Sequence, residues 1–165
     1  MDFRPGTLTP SAYGRLLEGI LEQAAGYALS ILRHRADAED AVQQAALRGL
    51  ERISRYDPRR PFKGWWFTVL RHCCIDLLRS RRPHAGLDQA EFEAASRGNP
   101  IDWRDLAEAL DRLEPQQAEI LRLRYFGGLT YEELGQALAI PKGTVMSRLH
   151  YARKALFSQM KDSEP

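Results

Sequence analysis

The chain has 165 residues, 44% of them hydrophobic and 28% charged, with a formal net charge of +2. That length holds one domain or two small ones, and the near balance of charge excludes a blanket polycation. No run of about 18 apolar residues occurs and Met1–Pro10 has no apolar signal core, so no membrane insertion is expected and a reducing cytoplasm is the expected location.

From Tyr13 onward Leu16, Leu17, Ile20, Leu21, Ala24, Ala28 and Ile31 recur at three- and four-residue spacing, which predicts helix. A second helix is expected to start near Asp37, where Asp37, Glu39 and Asp40 suit the positive N-terminal end. Its inward stripe is read as Ala38, Ala41, Val42, Ala45, Leu50 and Ile53. Tyr56-Asp57-Pro58-Arg59-Arg60-Pro61 then breaks the chain, because two prolines cannot continue a helix. A third helix is predicted from about Phe62 to Arg81, with Trp65, Trp66, Val69, Leu70, Ile75 and Leu78, ending in Arg79-Ser80-Arg81-Arg82. Cys73 and Cys74 are adjacent, where side chains diverge, so buried structural thiols are expected rather than a disulfide. Residues 1–82 carry fourteen Arg/Lys against nine Asp/Glu, a hint of a polyanionic partner or simply an Arg-rich solvated surface.

Pro83 to Pro100 changes character, with two Pro, two Gly and four Ala and no strong periodicity, and reads as a linker in which Leu87 to Ala95 has room for one short helix or turn. Helical spacing resumes through Trp103, Leu106, Leu110 and Leu113, and Pro115 begins another helix that stops at Gly127-Gly128. The expected fold is all-α: two small helical domains, 1–82 and 101–165, joined by a flexible linker over 83–100.

The most informative stretch follows. Thr130 and Glu133 have the spacing of a capping box. A short helix to about Leu138 and a tight turn at Ala139-Ile140 lead to Pro141, which suits a helix start. The next helix places Val145, Leu149, Ala152 and Leu156 on one face and Lys142, Met146, Ser147, His150, Arg153 and Lys154 on the other. From Pro141 to Lys161 there is no Asp or Glu, as expected of a helix meant to lie near phosphates. Two helices with a short turn, the second apolar behind and basic in front, predict a helix-turn-helix that enters a major groove; the plainer alternative is an αα-hairpin with a cationic face.

Three blocks carry a family resemblance. Leu129-Thr130-Tyr131-Glu132-Glu133-Leu134 with Gly143-Thr144-Val145-Met146-Ser147-Arg148-Leu149 and Ala152-Arg153 resembles region four of extracytoplasmic-function sigma factors, the promoter-recognition domain. Asp37-Ala38-Glu39-Asp40-Ala41-Val42-Gln43 resembles the polymerase-docking helix of that family. Phe62-Lys63-Gly64-Trp65 through Ile75-Asp76-Leu77-Leu78-Arg79 resembles its DNA-melting helix. The resemblance implies a sigma factor that guides RNA polymerase core to promoters, with no catalytic residue, cofactor or metal of its own.

It further implies that Glu39, Asp40, Gln43 and Gln44 grip the β′ clamp, although Gln44 stands where the family often has Glu. The minus-ten element, as a single strand, would meet Arg59, Arg60, Lys63, Trp66, His72, Arg79, Arg81 and Arg82. Trp65 falls at a family core position, Trp66 is either core or a stacking platform, and His72 replaces the usual Asn. The minus-thirty-five duplex would meet Lys142, Thr144, Met146, Ser147, Arg148, His150, Tyr151 and Lys154. Met146 and Tyr151 stand where the family often has Arg, so bidentate guanine readout is less available. An anti-sigma factor is an expected partner beside polymerase and promoter DNA. Two rivals are a helix-turn-helix regulator that binds duplex DNA without polymerase, and a small hydrolase using His34 with Asp37. The first leaves the docking and melting blocks unexplained, and the second lacks a nucleophile or oxyanion donor.

Overall fold

The computed structural model describes residues 7–80 and 103–161; residues 81–102, including Arg81, Arg82 and the linker segment, lie outside the described residues. The described residues form helices without strands: α1 (Pro10–Glu18), α2 (Leu21–Leu32), α3 (Arg35–Glu51), a 3₁₀ turn (Ile53–Arg55), α4 (Phe62–Ser80), α5 (Trp103–Asp111), α6 (Pro115–Tyr125), α7 (Tyr131–Leu138) and α8 (Lys142–Lys161).

The first apolar run is two helices rather than one. Thr9 caps α1 by accepting from the Ala12 amide, Pro10 occupies the first turn, and the chain turns at Gly19-Ile20. That turn leaves Leu16 and Leu21 partly exposed. α3 starts at Arg35, two residues earlier than expected, because His34 Nδ1 accepts from the Asp37 amide at 3.4 Å and sits 3.3 Å from the Asp37 carboxylate. His34 and Asp37 therefore meet as the N-terminal cap of α3. Leu50, expected inside, is 40% exposed, since the stripe that α3 presents to α2 and α4 runs through Ala38, Ala41, Ala45 and Gly49.

Small residues on α2 and α3 let the large ones of α4 come close. Trp66, Phe67 and Leu70 are fully buried against Tyr27, Ala28, Ala41 and Ala45. Trp66 Nε1 donates to the Tyr13 hydroxyl at 3.0 Å, and that hydroxyl donates to the Ala46 carbonyl at 2.7 Å. Gly49 is required there, because a Cβ would run into the Tyr13 hydroxyl. Cys73 and Cys74 are both buried and unpaired with each other, as expected, and burial pushes the Cys74 thiol up to about 12.

In the second half α6 is central. Its buried residues Ala118, Ile120, Leu121 and Leu123 lie around the helix rather than on one stripe, because α6 packs on α8 and α7 and also reaches α2. The halves do not keep separate cores. A single apolar cluster runs from Tyr13, Tyr27 and Phe67 to Ile120, Leu129, Leu134 and Leu149, and α4 lies directly on α7.

Candidate nucleic-acid interface

The helix-turn-helix is built by its caps. Thr130 Oγ1 accepts from the Glu133 amide at 3.2 Å while the Glu133 carboxylate accepts from the Thr130 amide at 2.8 Å, the reciprocal pair predicted from the sequence. α7 ends with Ala139 in the left-handed region (φ 54°), and the Ile140 amide donates to the Gly135 carbonyl at 3.0 Å. Gly135 makes that tight return, since a Cβ there would stand 2.9 Å from the Ile140 carbonyl oxygen. The Pro141 carbonyl then accepts from the Val145 amide at 3.0 Å and α8 begins.

α8 buries Val145, Leu149 and Ala152 completely and half-buries Leu156. Its outward side presents Lys142, Met146, Ser147, His150, Tyr151 and Lys154 to solvent, with Thr144 and Arg148 half-buried at the flank. Met146 is 54% and Tyr151 63% exposed, a large apolar share for a surface helix. The His150 ring meets the Tyr151 ring edge-on at 5.3 Å. Arg153, expected on the same front, is instead bound inward: its Nε donates to the Tyr125 hydroxyl at 2.9 Å. Arg124 lies over the Tyr131 ring at 5.6 Å and donates to the Leu129 carbonyl at 2.8 Å. These two arginines brace the domain, and their long spacing to Tyr125 and Tyr131 gave no sequence signal.

On α3, Glu39, Asp40 and Gln43 are exposed and Gln44 is half-buried on the same side. Glu39 pairs with Arg35 at 2.9 Å and Gln44 donates to Asp40 at 3.0 Å, both at i,i+4 spacing. Arg48 reaches across to Asp76 of α4 at 2.9 Å, which holds the Asp76 carboxyl below its usual range.

The minus-ten candidates are scattered. Arg59 folds back on Asp57 with its amide and two guanidinium contacts all at 3.0 Å, and these hold the Asp57 carboxyl down. Arg60, His72 and Arg79 are exposed. Lys63 is half-buried: its ammonium donates to the Gln23 side chain and to the Gly128 carbonyl at 3.2 Å, and lies 5.8 Å from the Phe67 ring centroid. Burial pushes that ammonium down. Trp66 is enclosed on every side, which corrects its reading as a stacking platform: no base can reach the ring without unpacking α4. The half-exposed aromatic is Trp65, 5.1 Å from Tyr56 and 5.8 Å from Phe62, beside the Asp57–Arg60 turn. One helical position decides which of two adjacent tryptophans faces solvent, and periodicity alone did not fix that register.

Among the described residues no group of three or more His, Cys, Asp or Glu is placed to hold a metal, and no helix is long and apolar enough to cross a membrane.

Comparison with known proteins matches residues 16–84 to sigma-70 region 2 and residues 109–158 to sigma-70 region 4. The extracytoplasmic-function RNA polymerase sigma factor SigL of Mycobacterium tuberculosis is 34% identical over 138 residues, covering 79% of this chain and 78% of its own length. Two solved structures share the fold. CnrH, in complex with the cytosolic domain of CnrY, has a TM-score of 0.74 at 24% identity, covering 94% of this chain and 92% of that one. The sigma factor RpoE of Bartonella quintana, in complex with the anti-sigma factor NepR, has a TM-score of 0.71 at 22% identity, covering 92% and 98%.

Proposed function

The chain belongs to the extracytoplasmic-function class of RNA polymerase sigma factors, and from that premise we infer that its two halves take separate parts of promoter recognition. As a sigma factor it directs core RNA polymerase to promoter DNA and initiates transcription there. The class acts without catalysing a reaction, and we read this chain the same way, as a cytoplasmic non-enzyme.

Residues 1–82 form the region-two unit. Its α3 face, with Glu39, Asp40, Gln43 and Gln44, docks on the β′ clamp. Arg60, His72, Arg79, Arg81 and Arg82 meet the minus-ten strand, joined by Arg59 and Lys63 once they leave their internal contacts. Trp65 and Tyr56 replace Trp66 as the aromatic surface for an unstacked base. Residues 101–165 form the region-four unit, in which α8 enters the minus-thirty-five major groove with Lys142, Thr144, Met146, Ser147, Arg148, His150, Tyr151 and Lys154.

The observation that carries the DNA assignment is the outward side of α8, exposed, free of carboxylates from Pro141 to Lys161, and held by a complete capping box and turn. Run-off transcription with core polymerase, beside a gel shift without polymerase, tests it. Specific initiation only when both proteins are present is the expected result. Tight, specific duplex binding by the chain alone, with no initiation, would favour the helix-turn-helix regulator. Permanganate footprinting adds the division of labour: His72→Ala should impair opening and spare duplex binding by the second half. An anti-sigma factor is the further partner we assign, by analogy with the complex of RpoE; recovery of polymerase as the sole stoichiometric partner from the native cell would remove it.

A further inference from the structure

We propose that Met146 sets the sequence preference of α8 by reading a 5-methyl group, that of thymine, in the minus-thirty-five major groove; this rests on α8 being the helix that enters that groove. α8 turns its back on the protein through Val145, Leu149 and Ala152, all buried. At 3.6 residues per turn the outward arc is then centred on Gly143, Ser147, His150 and Lys154, with Met146 on one side of it and Tyr151 on the other. Lys142 and Lys154 stand at its two ends, about 18 Å apart along the helix axis. They can reach phosphates on the two walls of a groove about 12 Å wide.

Gly143 brings the helix close. A Cβ there would meet nothing within 4 Å, so the packing of the protein does not call for a glycine, and glycine weakens a helix relative to alanine. The bare backbone lets the first turn of α8 approach an outside surface, and Met146 follows it by one turn. Phe157 and Met160 are also exposed, but they lie beyond Lys154 toward the end of α8. A recognition helix presents its N-terminal residues to base edges, so Met146 is the exposed methionine that the groove floor meets.

The chemistry of the arc decides what is read there. Guanine is picked out by a fork of donors on O6 and N7. The centre of the arc holds no guanidinium: Arg148 is half-buried at the flank, and Arg153 donates to the Tyr125 hydroxyl. The Ser147 hydroxyl donates to the Thr144 carbonyl at 3.1 Å, which leaves its oxygen as an acceptor. The His150 and Tyr151 rings stand edge to face against each other. Met146 is unlike its neighbours: a long, flexible, uncharged thioether chain held in water. What an apolar side chain recognises on a base edge is the C5 methyl of thymine, and contact takes both groups out of water. Uracil differs from thymine by that methyl alone, and 5-methylcytosine carries it at the same place in the groove. Met146 should therefore separate thymine from uracil and cytosine from 5-methylcytosine, each by about fourfold in affinity for one buried methyl.

The test uses the full chain with core polymerase. A promoter is selected by the complex from duplexes randomised over both elements, and each minus-thirty-five thymine on either strand is replaced in turn by uracil. One or two of these replacements should weaken binding by wild type about fourfold. Cytosine at the same position should bind better by a similar factor when it carries the 5-methyl group. Both effects should vanish in Met146→Ala, with helicity unchanged because the side chain is exposed. Met146→Leu should keep them, and Met146→Arg should turn the preference at that position toward guanine. Equal binding of every uracil duplex by wild type, a selected minus-thirty-five element made of G·C pairs alone, or a methyl effect undiminished in Met146→Ala overturns the proposal. So does loss of the effect in Tyr151→Ala with Met146→Ala unaffected, which gives the methyl to Tyr151. Lower co-elution of Met146→Ala with polymerase, with the methyl effect intact, makes the residue a protein contact instead. Initiation with the upstream element protected and no methyl effect removes this inference and leaves the sigma-factor reading standing; no initiation and no upstream protection from any duplex removes both.

Discussion

Between Asp57 and Asp76 the chain carries Arg59, Arg60, Lys63 and Arg71; between Pro141 and Lys161 it carries Lys142, Arg148, Arg153, Lys154 and Lys161. Counted on the sequence the two sets look alike. In the fold, Arg59 is neutralised by Asp57 and Arg71 by Glu119, while Lys63 is turned inward by hydrogen bonds to Gln23 and Gly128. On α8 only Arg153 is turned inward to a tyrosine, and no carboxylate stands on the helix to pair with the others. A cation serves a phosphate only when nothing nearer holds it, so the excess positive charge of residues 1–82 overstates what that half offers DNA, while the balanced charge of residues 101–165 understates it.

The sharpest way to break this comparison is to unpack the half beneath the engaged cations. Trp66→Ala should cost about 3–5 kcal/mol of stability in a denaturant titration, because it opens a cavity and removes the partner of the Tyr13 hydroxyl. Trp65→Ala should cost much less and weaken binding of a single-stranded minus-ten oligonucleotide, by about 1–3 kcal/mol if a base stacks there. Equal destabilisation by the two changes would mean that Trp65 is packing as well. Docking comes next: Asp40→Arg with Gln43→Ala should reduce co-elution with core polymerase at least tenfold, or about 1.4 kcal/mol, with helicity intact. Normal co-elution would take the α3 face out of the interface.

On α8 the effects should be specific. Ser147→Ala and His150→Ala are each expected to alter minus-thirty-five preference by about 1–3 kcal/mol when a base contact is lost, read by competition between promoter variants. Salt dependence tests the comparison of cations most directly. Lys154→Ala should lower the slope of log K against log salt by about 0.9 on a duplex, uniformly across sequences. Arg59→Ala should change the corresponding slope on single-stranded DNA far less than the about 0.7 of a fully available cation, because Asp57 already neutralises it.

The smallest effect at neutral pH belongs to the buried thiols on the inner side of α4. Cys74 keeps its proton to about 12 when folded, against 9.0 ordinarily. Its folded pKa is raised, so its contribution is fully present below pH 9 and falls as pH rises from there to about 12, by roughly 1.4 kcal/mol per unit. Thermal midpoints should be flat in this respect at pH 7–8 and decline above pH 9. Alkylation by iodoacetamide should be slow until the chain unfolds; fast labelling of the native chain would show that α4 is not packed on its cysteine side.

Sequence reading went furthest where structure is local. The capping box at Thr130 and Glu133, the stop at Gly127-Gly128, the turn before Pro141 and the stripe Val145, Leu149 and Ala152 are all recovered, because each depends on residues within about four positions of one another. Glu39, Asp40 and Gln43, which we propose for docking, are exposed on one helix. Reading failed where a helix had to choose between faces that look equally apolar. Leu50 lies outside because Gly49 faces Tyr13, and Trp66 lies inside because its indole meets the same hydroxyl, 53 positions away in sequence.

By itself the sequence determined the helices, their order, the helix-turn-helix and the family, since propensity, capping and short motifs are written within a few residues. Only the tertiary structure decided which cations are available and whether the halves stand apart. Those outcomes rest on partners distant in the chain: Arg71 with Glu119, Lys63 with Gly128, and Arg33 with Asp111. Charge pairing depends on distance in space to within a few ångströms, and no periodicity in a sequence records which two of many arginines and carboxylates will be brought that close.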